Sequence, residues 1–370
     1  MKLLQCILAA SLVATGAVAQ SCGWQNGNTT CSSTAPCCSE YGTCGVSSLH
    51  CGIFCQSAFS PQIKGVSPCY GSRPNIQKKC ISGRYNFDPS TWVINGDAYN
   101  GDINTADWIV DPLGLDNGNL RFGANGGFLA SVTKQPSGWS SPYPAGLGVR
   151  LSSTAWVLYG AWEARLQVLA PPGLVTAFIS FSEERDEIDW EITGRDTTIA
   201  QPNFFYKGVI NELFGPQGIL IPPGYNMANR FTTLRVEWTP DSISWIVDGE
   251  VKKVVQKSET CDSAGNCKFP NTPSKIQFAL WDGSAEGAGT RDWAGGYVPW
   301  GSDAVAAVGF NSTVQYISIR CNGDPEPTGP PARPAGYSAP SLIEPPIPVA
   351  VPGVAGYDET KASRKKSAYV

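Results

Sequence analysis

The sequence contains very little histidine, the side chain that acid–base enzymes use most often. His50 is the one histidine among 370 residues. A Ser-His-Asp triad would have to use it, and no Gly-x-Ser-x-Gly motif accompanies it. A zinc site built from several histidines is excluded as well. Acid–base chemistry must therefore rest on carboxylates, tyrosine, lysine or cysteine, and no metal or cofactor is predicted.

Charged residues are also scarce. Asp, Glu, Lys and Arg make up 16% of the chain, the net charge is −4 and the sequence pI is about 5.2. Because a protein that binds nucleic acid usually carries a basic surface, no nucleic-acid partner is predicted. The 12 tryptophans suit flat sugar rings, although most tryptophans in any protein belong to the core.

Helical periodicity is missing from the whole chain, whereas glycine (40) and proline (29) are abundant. Short β-type runs alternate with Gly, Pro, Asn and Asp, and Asp248-Gly249 predicts a tight hairpin. The clearest runs are Trp156–Leu169, Val175–Phe181, Asp186–Thr193, Phe231–Trp238, Ile243–Val247, Lys275–Trp281 and Val314–Cys321. This pattern predicts an all-β fold, a two-sheet antiparallel sandwich.

The N-terminus predicts a secretory signal peptide over residues 1–19. Lys2 precedes a mostly apolar run that ends in Ala17-Val18-Ala19, a small-x-small cleavage site. The alternative is a membrane anchor, but the run is short for a membrane span. We therefore expect a secreted protein whose mature chain has no transmembrane segment. Asn28 and Asn311 begin Asn-x-Ser/Thr glycosylation motifs.

The cysteines divide the mature chain into segments. Removing Cys6 with the signal peptide leaves 12 of 13, an even number that predicts disulfides in a secreted protein. Seven lie between residues 22 and 55, and none lies between Cys80 and Cys261. We predict a disulfide-rich module at 21–58, a linker at 59–84, a large domain at 85–323 and a disordered Pro-rich tail at 324–370. That polar tail lacks the apolar segment of a glycolipid-anchor signal.

The central motif is Asp186-Glu187-Ile188-Asp189-Trp190-Glu191-Ile192. Since alternate residues of a strand share a face, Glu187, Asp189 and Glu191 line one face and the apolar residues line the other. Aligned carboxylates repel one another, which raises the pKa of at least one. A glycosidase needs this difference, with one carboxylate ionised and one carboxyl group protonated. Activity should then be bell-shaped in pH, centred on the acidic side of neutral.

The spacing of the two glutamates sets a geometric condition. On a flat strand their Cα atoms lie about 13 Å apart at ~3.3 Å per residue. A retaining pair needs carboxyl groups about 5–5.5 Å apart, so the strand must curve and both side chains must lean inward. The alternative interpretation is an acidic strand face that discourages edge pairing. The nearest cations, Arg185 and Arg195, flank the motif and do not interleave with it.

The motif and its surroundings resemble glycoside hydrolase family 16, a β-jelly-roll family of retaining enzymes, and within it the fungal Crh-type chitin transglycosylases. Similar segments are Leu158–Glu163, Gly173–Thr176, Pro202–Phe205, Pro270–Pro273, Leu280–Gly283 and Trp293–Gly296. The resemblance implies that Glu187 is the nucleophile, that Asp189 assists and that Glu191 is the acid/base. Trp281 and Trp293 are the candidates for a sugar-stacking platform, with Asn203 and Phe205 as lesser candidates; each has a core role as its alternative.

The small module resembles a hevein-type family 18 chitin-binding domain in the order of its first six cysteines, including adjacent Cys37-Cys38. The implied disulfides are Cys22–Cys38, Cys31–Cys44 and Cys37–Cys51. Cys261 and Cys267 are predicted to pair with each other. The partners of Cys55, Cys69, Cys80 and Cys321 stay open, with Cys69 or Cys80 as candidates for Cys55.

Sugar contacts in hevein-type domains come from a serine and aromatic residues, which implies Ser39, Tyr41 and His50 here. Thr43 replaces a usual aromatic residue and His50 replaces a usual tyrosine. The lost stacking surface should weaken chitin binding. An alternative is that the module is only an N-terminal disulfide scaffold.

Together these features predict a secreted, monomeric fungal cell-wall enzyme. It would cleave β-1,4-linked chitin by a retaining double displacement and transfer it to chitin or β-glucan. One alternative is an endo-β-glucanase or chitinase that only hydrolyses. Another is a non-catalytic chitin-binding wall protein.

Overall fold

The computed structural model describes residues 21–40, 42–46, 48–52, 55–65, 67–69, 78–96, 99, 101–110, 119–134, 146–210, 218–220, 225–285, 287–301, 310–333 and 335–339. The predicted signal peptide, Tyr41 and the predicted tail beyond residue 339 lie outside these residues.

The described residues form mainly short β-strands. The strands are β1 (Cys37–Cys38), β2 (Cys44–Gly45), β3 (Gly83–Tyr85), β4 (Val93–Asn95), β5 (Trp108–Val110), β6 (Leu120–Phe122), β7 (Phe128–Lys134), β8 (Gly146–Leu147), β9 (Val149–Ser153), β10 (Gly160–Val168), β11 (Leu174–Ser182), β12 (Glu187–Thr193), β13 (Ile199–Tyr206), β14 (Val209–Ile210), β15 (Ile219–Leu220), β16 (Thr232–Trp238), β17 (Ser242–Val247), β18 (Glu250–Gln256), β19 (Ser274–Asp282) and β20 (Phe310–Cys321). The helices are α1 (Ser48–Cys51) and α2 (Ala288–Ala294), with 3₁₀ turns at Trp24–Asn26, Ser57–Phe59, Lys257–Thr260 and Gly283–Ala285.

Two large sheets make up the main domain. The front sheet has the order β14-β13-β12-β11-β19-β9-β5-β4, with β15 beside β13. The back sheet has the order β18-β17-β16-β10-β20-β7-β6, with β3 beside β20 and β8 beside β7. The ladders are antiparallel apart from β4–β5. The prediction of an all-β sandwich with a disulfide-rich N-terminal module is confirmed.

The core lies between the two sheets and is rich in indole rings. Among the described residues, the fully buried tryptophans are Trp108, Trp156, Trp162, Trp190, Trp238 and Trp245. Trp162 of the back sheet packs edge-on against Trp238 at 6.4 Å between ring centroids. Burying side chains of this size is the main source of stability in such a sandwich.

The hairpin between β17 and β18 has the predicted tight turn. Val247 pairs with Glu250 across it, and Asp248 and Gly249 have φ values of 48° and 86°. Asp and Gly tolerate this left-handed conformation, which matches the twist of the two strands. The turn prediction is confirmed.

Disulfides cross-link the small module and also join segments of the main domain. Cys22–Cys38, Cys31–Cys44 and Cys37–Cys51 are present, and Cys261 is bonded to Cys267. The two pairings that the sequence left open are Cys55–Cys69 and Cys80–Cys321. The second joins the segment before β3 to the end of β20, which β3 also contacts through backbone pairing.

The first part of the predicted disordered tail packs against the main domain, which corrects the expectation for those residues. Glu326 accepts hydrogen bonds from Arg235, and Arg320 lies 2.8 Å from the same carboxylate. The guanidinium of Arg333 donates to both oxygens of Asp107, at 2.6 and 2.7 Å. These ion pairs offset the entropy lost on ordering a Pro-rich segment.

The two glycosylation motifs differ in accessibility. Asn28 is exposed in a turn of the module, whereas the Asn311 side chain is 4% exposed within β20. A glycan on Asn311 does not fit the folded domain. Among the described residues, no helix has both the length and the apolar character needed to cross a membrane.

Candidate active site

The three predicted carboxylates lie on β12, on the side of the front sheet that faces away from the core. Ile188, Trp190 and Ile192 are fully buried among the core residues. Asp189 is 1% exposed, and Glu187 and Glu191 are half-buried. The sequence alternation therefore separates an apolar face, which packs between the sheets, from an acidic face.

Polar and aromatic side chains from both neighbouring strands share this acidic face. Residues that are directly paired across an antiparallel ladder point to the same side of the sheet. The partners of Glu187, Asp189 and Glu191 are Phe205, Asn203 and Gln201 on β13 and Phe181, Ile179 and Ala177 on β11. The structure thus places Asn203 and Phe205 beside the acids. Gln201 was missed, although its period-two spacing from Asn203 was a usable signal.

Asp186 fixes the start of β12. Its carboxylate is fully buried and accepts the backbone N–H of Lys207 at 3.0 Å, of Asn271 at 2.9 Å and of Thr272 at 3.1 Å. The Thr272 hydroxyl donates a further bond at 2.7 Å. A buried carboxylate with this many donors is rigid, so the residue that follows it, Glu187, starts from a fixed backbone position.

Two indole N–H groups tie the middle of β12 to the back sheet. Trp245 of β17 donates to the carbonyl of Asp189 at 2.8 Å. Trp190 donates in the opposite direction, to the carbonyl of Arg235 on β16 at 3.1 Å. Sequence reasoning did not find these bonds, because each depends on how the two sheets pack. They anchor the strand that carries the acids.

The acidic cluster is poorly solvated, and this changes its protonation. Burial raises the pKa of Glu187 to about 7. Burial, together with the charge of Glu187, raises the pKa of Glu191 to about 8. Removing a carboxylate from water disfavours its charged form, and a neighbouring negative charge adds to the effect. Glu187 therefore ionises before Glu191 as the pH rises.

Asp189 is the protonated member between them. Burial raises its pKa well above the usual value, and the charges of Glu187 and Glu191 raise it further. A hydrogen bond between Asp189 and Glu187 raises the pKa of Asp189 and lowers that of Glu187. The Asp189 hydroxyl is therefore the donor and the Glu187 carboxylate is the acceptor, which favours ionisation of Glu187 over Glu191.

The two tryptophans predicted as a sugar platform lie together at one end of the acidic face. Their rings are 6.5 Å apart with an interplanar angle of 34°. Trp281 pairs with Val175 on β11, two residues from Ala177, and the Trp293 indole donates to Gln201 at 2.8 Å. Both rings are half-buried, so neither is a core residue.

In the small module, the predicted sugar-contact residues Ser39 and His50 are partly or fully covered by neighbouring residues. Ser39 is 2% exposed, and its hydroxyl lies 2.9 Å from the Thr43 hydroxyl and accepts the Thr43 backbone N–H. The half-buried His50 ring lies directly against the backbone of Gly45. Tyr41 lies outside the described residues. Among the described residues, Cys22, Cys31 and Cys44 have sulfur atoms close enough together to bind one metal ion. All three sulfurs are in disulfide bonds and are therefore not metal ligands.

Comparison with protein families gives two matches. The sequence profile of glycosyl hydrolases family 16 matches residues 124–298, which include β12 and the whole acidic face around it. The profile of chitin recognition proteins matches residues 21–60, which hold the cysteine-rich module that precedes the residues matched by the first profile.

Curated proteins similar to this chain include two fungal proteins. Crh-like protein 3 of Botryotinia fuckeliana is 29% identical over 299 residues, 79% of this chain and 60% of that protein. Crh-like protein 2 of Aspergillus fumigatus is 30% identical over 300 residues, 80% of this chain and 61% of that protein. This chain therefore spans about three fifths of the length of these relatives.

A solved structure to which this chain is similar is Crh5 transglycosylase in complex with NAG. It is 22% identical, with a TM-score of 0.47, over 60% of this chain and 87% of that chain.

Proposed function

We propose that this protein is a secreted cell-wall enzyme that cleaves β-1,4-linked chitin with retention and transfers the cleaved chain to a chitin or β-glucan acceptor. The main support is the carboxylate row on β12, in which burial and the Asp189 hydrogen bond leave Glu187 more acidic than Glu191. The match to chitin recognition proteins supports chitin as the sugar, and the resemblance of the motif and its surroundings to the Crh-type chitin transglycosylases supports transfer.

The first half of the reaction breaks the glycosidic bond. Glu191, protonated near neutral pH because its pKa is about 8, donates its proton to the glycosidic oxygen. The ionised Glu187 attacks the anomeric carbon as the carbon–oxygen bond breaks. The leaving sugar departs with the proton from Glu191, and the remaining chain is bonded to Glu187 as a glycosyl ester.

The second half reverses these roles. Glu191, now a carboxylate, takes a proton from an acceptor hydroxyl, whose oxygen attacks the anomeric carbon. The Glu187 carboxylate leaves, and the Asp189 hydroxyl stabilises its returning charge through the hydrogen bond. Water as acceptor gives hydrolysis, whereas a sugar gives transfer. A chain stacked on Trp281 and Trp293 would be positioned to outcompete water.

The masses of the reaction products test this proposed function. The purified full chain is incubated with chitin oligosaccharides and a fluorescent chitin or β-glucan acceptor, beside the Glu187→Gln variant. Labelled products longer than the acceptor, absent in the variant, are expected. Shorter products alone would mean that the enzyme only hydrolyses. No products from either protein would favour a non-catalytic chitin-binding protein.

The pH dependence of the rate is a further prediction. The rate should rise as Glu187 loses its proton with a pKa of about 7 and fall as Glu191 loses its proton with a pKa of about 8. The maximum is therefore expected between these values, not on the acidic side of neutral as the sequence predicted, because burial raises both pKa values. Initial rates across the pH range, with the surface variant Glu250→Gln as a control, measure the profile. A maximum well below neutral would contradict it.

A further inference from the structure

The small module contacts the front sheet of the main domain through an ion pair. Both oxygens of Glu40 accept hydrogen bonds from the Arg150 guanidinium, one at 2.9 Å from Nη1 and the other from Nη2. The two side chains are 22% and 21% exposed, so water screens the pair only partly. A two-point guanidinium–carboxylate contact fixes orientation as well as distance.

A second contact joins the module to the turn before the catalytic strand. The guanidinium of Arg185 lies 4.4 Å from the centre of the Trp24 ring, within the range of a cation–π interaction. Arg185 stands two residues before Glu187, in the turn between β11 and β12. The two contacts therefore lie at different places on the front sheet: Arg185 is in the turn beside the acids, and Arg150 is on β9, across the sheet from them.

The module presents a rigid loop at the Arg150 contact. The Gln25 amide donates to the Glu40 carbonyl at 2.6 Å, and the Gln56 amide donates to the Ser39 carbonyl at 2.7 Å. Gln56 also donates to Gln25 at 3.0 Å. This loop carries Ser39, one of the predicted sugar contacts of the module. The docked segment and the predicted sugar-binding segment are thus the same.

On the outer face of the front sheet, only small side chains lie between Glu191 and Arg150, and we call this row the floor. In register across β12, β11, β19 and β9, Glu191 is followed by Ala177, Ala279 and Arg150. Paired residues point to the same side, so two methyl groups separate the acid from the arginine. At ~4.8 Å per strand, the row spans about 14 Å. Ala177 is 4% exposed and Ala279 is half-buried, so larger neighbours overhang this row, and an extended chain would lie above it on its way from the acids to the module.

We propose that the small module is the far wall of the substrate groove, so that one polysaccharide chain lies along the Ala177–Ala279 floor and contacts both Glu191 and the Glu40 loop. Glu187 and Glu191 stay half-buried, not fully buried, while the module is docked, so the module borders the groove and does not fill it. The identity of the sugar as chitin rests on the proposed function.

Binding as a function of oligomer length tests this wall. The full chain carries Glu187→Gln to prevent turnover, and its dissociation constants are measured for chitin and β-glucan oligomers from disaccharide to hexasaccharide. Adding Glu40→Gln keeps the side-chain size but removes the charge that docks the module. We expect binding of the longest oligomers to weaken about tenfold, because the chain must then order a mobile module. Disaccharide binding should change less than about twofold.

Two further variants make the result interpretable. Reversing both charges, with Glu40→Arg and Arg150→Glu together, should restore part of the affinity for long oligomers, which a general folding defect would not do. Glu250→Gln, a surface carboxylate at the edge of the back sheet, should leave all dissociation constants unchanged.

Three other outcomes would overturn the proposed role of the module, and one would support it with a different sugar. Tighter binding of every oligomer by Glu40→Gln would mean that the docked module obstructs the groove. Equal affinities with and without Glu40→Gln at all lengths would mean that the module does not contact the chain. A length effect seen with β-glucan but not with chitin oligomers would support the wall and reject chitin as the sugar, which separates this inference from the proposed function. No binding of either series would reject both.

Discussion

Glu187→Gln is expected to lower turnover of chitin oligomers by at least about 10⁴-fold, since an amide cannot form the glycosyl ester. The loss should be equally large for a substrate with an aryl leaving group, because attack on the anomeric carbon is needed in both cases. The protein should stay folded, since Glu187 lies on the face of β12 opposite the core. Initial rates on both substrates measure this.

Glu191→Gln is the matched comparison and should behave differently. On chitin it should lose about 10²- to 10⁴-fold, the usual contribution of a general acid. On the aryl substrate the first step should be nearly unaffected, because a weakly basic leaving group departs without a proton. A rapid first release of the aryl group followed by slow turnover is therefore expected. Equal losses on both substrates for both variants would contradict the assigned roles.

Removing the Cys80–Cys321 disulfide is expected to cost about 5 kcal/mol of unfolding free energy. This bond closes a loop with a sequence separation of 241 residues, so it restricts the unfolded chain strongly. It also joins the segment before β3 to the end of β20, which pair within the back sheet. The double variant Cys80→Ala with Cys321→Ala leaves no free thiol. Urea unfolding followed by tryptophan fluorescence measures the change.

The Cys261–Cys267 disulfide supplies the control for this prediction. Its sequence separation is 6 residues, and the same loop-entropy relation gives about 2 kcal/mol for its removal. The double variant Cys261→Ala with Cys267→Ala should therefore unfold at a clearly higher urea concentration than the first one. The reverse order, or equal losses, would show that loop length does not govern the stability of this domain.

The two faces of β12 could be predicted from the sequence because they depend only on neighbouring residues. Alternation is a property of a few consecutive residues, so the division of β12 into an apolar and an acidic face was readable from Glu187 to Ile192. The three module disulfides implied by the resemblance and the predicted Cys261–Cys267 bond are also local, with separations of 16 residues or fewer. The turn at Asp248-Gly249 follows from backbone sterics at two positions.

Contacts between distant segments could not be read in this way. The bond from Trp245 to Asp189 and the bonds from Asn271 and Thr272 to Asp186 come from segments 56 and 85 or more residues away. The Cys80–Cys321 bond, the packing of the first tail residues and the Glu40–Arg150 pair are of the same kind. Nothing in the local sequence at either end indicates the other end, since these neighbours are created only when the sheets close.

The sequence by itself thus determined which residues form the acidic row, which cysteines form the module and that the chain folds as a β-sandwich. The tertiary structure decided how strongly the acids are desolvated, which of them holds the proton, and where the module lies. The physical reason is range: strand alternation and turn geometry act between chain neighbours, whereas burial, pKa shifts and docking depend on atoms brought together across the fold.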